Sequence, residues 1–304
     1  MTTSTPASVP CAPSCDAPSL PPVLVGALMR HHRTRAGLSQ MKAGHIIESS
    51  ASRISDLETA RTVLPVSSAH ALLNAYGTPA PEIRQALALL ALPDHQHRID
   101  CFAPTPAWVD ALIAGSRSVH VYSADPASLS HFSPASSPAL GVPGGRPSTP
   151  RRCRMVLLLS ESLLNLAWDG HPAAAHLPHL LRLAENGAIS VHLVPGQLDA
   201  HASLLAEYTY TVRGWNGTVT DRLRRQIFVA HHDGAPGSVG NGGAAAAERQ
   251  LLQQAARIAR PLQWSLHQLR QAARAQQQDM AVDGPRAAFS RPVSSPDTRT
   301  RRTA

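Results

Sequence analysis

Lysine is almost missing from this chain: of 28 basic side chains only Lys42 is a lysine, the other 27 being arginine. Arginine, alanine and proline codons are rich in G and C and lysine codons are not, so this imbalance reports nucleotide composition. The physical datum is the excess of positive over negative charge, a net +8 with a pI near 10.1. That excess permits contact with nucleic acid or another acidic partner without demanding it. Cysteine is scarce too, four in 304 residues, too few for a disulfide framework. No apolar run approaches the roughly 18–20 residues a membrane helix needs; the longest, at 155–159 and 87–92, have the length of core strands or helix faces. No positive charge precedes the first apolar stretch, so a secretory signal is not expected. A soluble cytoplasmic protein with no membrane contact is the expectation.

Catalytic and metal signatures are equally thin. The glycine-rich stretch 237–243 has no Lys-Ser or Lys-Thr after it and is no phosphate loop. Glu161, Asp169, His171 and His201 form a polar set, but none of their spacings matches a nucleophile elbow or a zinc motif. Cys11 and Cys15 have no second pair to complete a zinc site, and His95, His97 and Cys101 follow no ligand pattern. His171, His176 and His179 read as one solvated helix side. No catalysis, metal or cofactor is expected.

What the chain does contain falls into segments. Residues 1–21, rich in Pro, Ser, Thr and Ala, have too little apolar surface to offset chain entropy and read as a disordered arm. Residues 22–93 carry apolar side chains at helical spacing (Leu24 and Leu28, Ile54 and Leu57, Leu72 and Leu73, Ile83 and Leu87), an all-α domain of five helices. Residues 94–152 read as a connection with a low-complexity Ser/Pro/Gly loop. Residues 153–277 read as an α+β domain with a small sheet and a long C-terminal helix: strands near 155–159, 189–194, 204–212 and 226–231, a helix at 177–185, a loop at 236–243, then a helix from 245 to 277 that Pro261 kinks or divides. The apolar stripe along 251–273 suits packing against its own sheet better than a coiled-coil seam. Residues 278–304 read as a disordered tail, basic at Arg299, Arg301 and Arg302.

The chemistry-bearing stretch is 38–58. Ser39 is placed to cap a helix beginning at Gln40, and Ser50 to cap a second beginning at Ala51, because a serine hydroxyl accepts from backbone N–H groups two or three residues on. Glu48 and Ser49 make the tight connection between them. With Ala43, Ile47, Ile54 and Leu57 facing inward, this is a helix-turn-helix that presents its second helix to a DNA groove. Residues 23–92 hold seven Lys/Arg, five of the first helix's residues being basic (Arg30, His31, His32, Arg33 and Arg35), against four acids. A net +3 suits modest, salt-sensitive DNA binding that dimerisation would strengthen.

Without a gap from 29 to 61, this spacing resembles the Xre family, the lambda-repressor-like regulators. The resemblance implies that Ala51, Ser52 and Asp56 face bases, that Gln40 sits near a phosphate, and that Arg53 is the main cation of the recognition helix, able to bond a phosphate or a guanine edge. Arg61, which ends the matching stretch, belongs to the same DNA-binding set, with Ser39 and Ser50. Arg33 and Glu58 fall where the family often has a structural ion pair. The segment Ala75-Tyr76-Gly77-Thr78 and the helix opening at Glu82-Ile83-Arg84 look like actinobacterial Xre regulators, whose second domain is effector-like. The order of elements over 105–275, including Val191-His192-Leu193-Val194-Pro195, is similar to that domain. Such relatives imply a homodimer on double-stranded operator DNA, localised to the nucleoid, and in some cases an antitoxin-like arrangement with a small partner protein encoded nearby. Gly44 stands where the family usually has Ala, Glu48 where it has Gly, Asp56 where Arg is common and Ala60 where Gly usually ends the helix. Gly44 is expected to weaken its helix by about 1 kcal/mol and Asp56 to repel phosphates, and the two together motivate an alternative reading as an adaptor that acts mainly through the small partner.

Overall fold

A computed structural model describes residues 19–93, 96–102, 104–126, 153–168, 172–196, 198, 202–213, 222–232 and 235–283. The arm before residue 19, the loop at 127–152 and the tail from 284 lie outside the described residues.

Five helices open the chain: α1 (Leu20–Arg35), α2 (Gln40–Ile46), α3 (Ala51–Glu58), α4 (Val66–Ala75) and α5 (Ala80–Leu90). Prolines 21 and 22 sit in the first turn of α1, where the missing N–H costs nothing. Leu20 is fully buried and Pro21 buried, so the last two residues assigned to the arm are helix and core. Leu24 and Leu28, one turn apart on α1, meet Ile54 and Leu57 of α3 and Leu72 and Leu73 of α4 in one apolar cluster. Each such side chain contributes roughly 1.5–3 kcal/mol by leaving water.

Beyond α5 come β1 (Arg98–Asp100), α6 (Pro106–Gly115), β2 (Ser118–Ser123), β3 (Arg154–Ser160), α7 (Ser162–Trp168), α8 (Leu177–Glu185), β4 (Ile189–Val194), β5 (Ala202–Arg213), β6 (Arg222–His232), β7 (Ala235–Asn241), α9 (Ala246–Ile258) and α10 (Leu262–Asp283). The sheet is larger than composition suggests. It has seven strands in the order β1-β7-β6-β5-β2-β3-β4, and three of its surrounding elements, β1, α6 and β2, come from the segment read as a connection. β2, β3 and β4 run parallel, while β5, β6, β7 and β1 are antiparallel. The stretch read as a glycine-rich loop is β7, held between β6 and β1.

Both sheet faces are covered. Val119, Val121, Leu157, Leu159, Val191 and Leu193 pack toward α6, α7, α8 and α10 in the cluster that also contains the five-helix core. Tyr122, Leu158, Val194, Leu205 and Phe228 pack toward α9 on the opposite face. Pro261 divides the expected long helix in two, and the break lets the chain cross the β4 edge. Arg260 N–H donates to the Leu193 carbonyl at 2.7 Å and Leu193 N–H donates to Ser265 Oγ at 3.0 Å, so part of an otherwise open strand edge is satisfied. Leu252, Ala255, Leu269 and Ala273 are buried within this fold, as packing on its own sheet requires.

The two parts share one interior. α1 lies against α6, Leu20 N–H donates to the Gln96 carbonyl at 2.8 Å, and the fully buried Trp108 of α6 donates through Nε1 to Gln85 Oε1 of α5 at 2.7 Å.

Candidate nucleic-acid interface

The geometry of α2 and α3 starts with their caps. Ser39 Oγ accepts from Lys42 N–H at 3.2 Å and Ser50 Oγ accepts from Arg53 N–H at 3.1 Å, each serving an N–H that has no partner inside its own helix. Ala43 and Ile54 are fully buried and Leu57 nearly so, with Ile47 partly buried beside them. The inward face is therefore the one the spacing predicts.

The connection between the helices has a physical logic the sequence reading missed. A Cβ on Gly44 would stand 2.4 Å from the Ser49 carbonyl oxygen. Ser49 N–H donates to the Gly44 carbonyl at 2.8 Å, and Glu48 takes a left-handed conformation, φ 49°. Gly44 is thus required by the tight return of the chain onto α2, and the expectation that it only weakens the helix is corrected.

Arg33 and Glu58 form the expected pair, with both guanidinium Nε and Nη2 donating to the carboxylate, the latter at 3.0 Å. Glu58 is buried, and Arg33 also donates to the Leu38 carbonyl at 2.7 Å. The hydrogen bond to Glu58 holds the Arg33 guanidinium even more firmly protonated than usual. Gln40 Nε2 donates to the same carboxylate at 3.3 Å. Gln40 consequently belongs to the network joining α1, α2 and α3, rather than being aimed at a phosphate by itself.

On the outer side of α3, Ser52 is exposed and Ala51, Arg53, Ser55 and Asp56 are half-buried. Arg53 Nη2 lies 3.5 Å from the Val63 carbonyl oxygen. Asp56 pairs with Arg61, Nη1 to Oδ1 3.4 Å, so its charge is offset within the protein and the bare repulsion expected of it is corrected. Lys42 and His45 are exposed on α2, and Arg30 and Arg35 on α1. The basic stretch of α1 divides by role: His32 is buried against Glu82 at 2.8 Å, and His31 is held neutral by burial, with its pKa lowered to about 4 and the neighbouring His32 and Arg35 side chains adding to the effect. Val63, 82% exposed beside Arg53, and Met41, 63% exposed on α2, were not singled out from sequence.

The other polar sets are described only in part. Glu161 pairs with Arg260 at 3.2 Å, while Asp169, His171 and His201 lie outside the described residues, as do Cys11, Cys15 and His95. His97 faces Asn241 at 3.0 Å. His179 faces Arg182, and burial lowers its pKa. Among the described residues no group of three or more His, Cys, Asp or Glu is placed to hold a metal ion, and no helix is long and apolar enough to cross a membrane.

Residues 24–87 match the model of a helix-turn-helix domain. Comparison with curated proteins and with solved structures yields no match. The matched residues cover most of α1, all of α2 to α4 and most of α5, with the capped α2–α3 pair among them; this domain supports a DNA-binding regulator.

Proposed function

We propose that the chain is a sequence-specific transcriptional regulator of the Xre type that binds operator DNA as a homodimer, with its C-terminal domain serving as a sensing or partner-binding module. One observation carries the reading: α3 is capped at Ser50, braced from behind by the Arg33–Glu58 pair, and turns Ala51, Ser52 and Arg53 outward. A short helix braced from one side, with Ser52 exposed on the other, suits entry into a major groove. Lys42, Arg35 and Arg53 supply phosphate contacts, which position the domain; Ser52 and Ala51 meet base edges, which specify sequence. Val63, beside Arg53, is suited to a thymine methyl. Dimerisation compensates for the few cations available to one copy.

The antitoxin-like adaptor reading rested on Gly44 and Asp56. Gly44 fits the turn and Asp56 is paired with Arg61, so neither now argues for it. The direct experiment is to select fragments of the source genome on the full-length chain. Convergence on a pseudo-palindrome with half-sites about one helical turn apart (roughly 34 Å) is expected; recovery of no enriched sequence would remove the regulator reading.

A further inference from the structure

Arginine gathers at one end of the sheet. β2 and β3 run parallel and begin there, while the antiparallel β5 ends there and β6 starts there. Arg154 N–H donates to the Arg117 carbonyl at 3.0 Å, and Arg117 N–H donates to the Thr209 carbonyl at 2.8 Å. Past Thr209 the paired ends of β5 and β6 set Arg225 opposite Tyr210, Arg224 opposite Thr211 and Arg222 opposite Arg213. The four strands are neighbours in the order β6-β5-β2-β3, so at roughly 4.8 Å per strand the row spans about 14 Å. Asp221 is the one acid close to these six arginines in the chain, and Glu207, further along β5, is buried and hydrogen-bonded to His120 and Gln226. Even with Asp221 subtracted, the row carries more positive charge than the net +4 of residues 93–277. Arg117 and Arg154 are exposed, and the ion pairs among the described residues engage Arg33, Arg61, Arg98, Arg260 and Arg270 instead. The helical domain reaches this same end. Tyr210 Oη donates to the Leu112 carbonyl of α6 at 3.0 Å, and α1 packs along α6. Burial pushes the Tyr210 phenol up, and Arg30 of α1 is near enough for its charge to oppose that shift. Arg30 is exposed, and Arg35 lies about 7.5 Å further along the helix.

We propose that this arginine row is a second contact surface for double-stranded DNA, holding the phosphate backbone beside the groove that α3 enters. Guanidinium groups stay charged and match phosphate oxygens two at a time. The span of the row equals the axial rise of roughly four base pairs. Continuity places it: the basic surface runs from the row through Arg30 to Arg35, which stands beside the reading helices. The chemistry around it favours a polyanion over a protein partner. Protein interfaces are built around an apolar centre, and the large exposed apolar side chains among the described residues lie elsewhere, on the helical domain and at the α9–α10 break. Contacts with phosphate add affinity without adding sequence information, and they supplement a helical domain whose own net charge is only +3. The choice of duplex DNA as the polyanion rests on the regulator reading; the existence of an anion-binding row does not.

The test titrates a selected duplex with the full-length chain carrying both Arg117→Ala and Arg154→Ala, across a range of salt concentrations. Affinity is expected to fall about tenfold or more at low salt, with a salt slope smaller by about 2 and an unchanged base preference. Replacing the same two residues with lysine keeps the charges and is expected to keep the wild-type slope. Wild-type affinity and slope in the alanine variant overturn the proposal. A second measurement needs no variant and so stands even where the alanine chain fails to fold. On adding duplex to the wild-type chain, the amide resonances of Arg117 and Arg154 are expected to shift along with those of α3. Shifts in α3 alone overturn the proposal. Where no sequence is selected, the same titration is made with a mixed-sequence duplex. Loss of affinity and slope in the alanine variant then keeps the arginine surface and removes the regulator reading alone, whereas equal binding by both chains, or none, removes the surface as well.

Discussion

Glu48 and Gly44 exchange the roles that their local backbone would assign them. Glu48 carries a side chain in the left-handed region, and Gly44 lacks one inside a helix, yet the close Ser49 carbonyl forbids the simple remedy at position 44. Glu48→Gly is therefore expected to stabilise the chain by about 1 kcal/mol, by relieving the left-handed strain, and Gly44→Ala to destabilise it despite alanine's better helix propensity; urea denaturation of the two variants measures both signs. His31 gives a pH signature. Its pKa, about 4 in the folded chain, lies below the ordinary value of roughly 6.5, so the unfolded chain binds the proton first and stability falls as pH drops from about 6.5 toward 4. His31→Leu should flatten that decline, and urea midpoints at pH 4.5 and 7 compare the slopes. The two serine caps and the Arg33–Glu58 pair were legible in the sequence because each is a local rule of spacing. The Gly44 contact was not, because it depends on how the chain returns on itself.

Elements were legible where periodicity was strong and both neighbours were near in sequence. The helix at 177–185 and the strand at 189–194 stand where the pattern put them. β7 did not read as a strand: Pro236, Gly237 and Gly240 look like a loop, and only pairing with β6 on one side and distant β1 on the other makes it part of the sheet. β2 escaped notice for a related reason, since its partners β3 and β5 lie beyond the 127–152 segment. The break at Pro261 shows the converse, a local signal whose purpose is tertiary. Ser265, fully buried, completes the covering of the β4 edge. Ser265→Ala should cost about 1–3 kcal/mol by leaving Leu193 N–H unsatisfied, read as a lowered thermal midpoint. By comparison, Ser50→Ala should cost about 1 kcal/mol through the lost cap of α3.

At the scale of the molecule, the charge that first suggested nucleic acid is spread unevenly, with +3 net over residues 23–92 against +8 for the whole chain. Most of the rest, a net +4, lies over residues 93–277, and the two ends add only +1 between them. More telling is the continuity of the interior from Leu24 through Trp108 to Val121, which composition had divided by a connection. All four tryptophans lie outside 23–92. With one continuous core, thermal unfolding followed by helical circular dichroism and by tryptophan fluorescence should coincide; two separated midpoints would show that the parts melt independently. The central claim, that the outer side of α3 reads DNA, is tested most directly by titrating a selected duplex with the wild-type chain and with Arg53→Ala across a range of salt concentrations. We expect the variant to lose about 1–3 kcal/mol of affinity, with a salt slope smaller by about 1 where Arg53 meets a phosphate and an unchanged slope with relaxed base preference where it meets guanine. Affinity, salt slope and base preference all equal to wild type would contradict it.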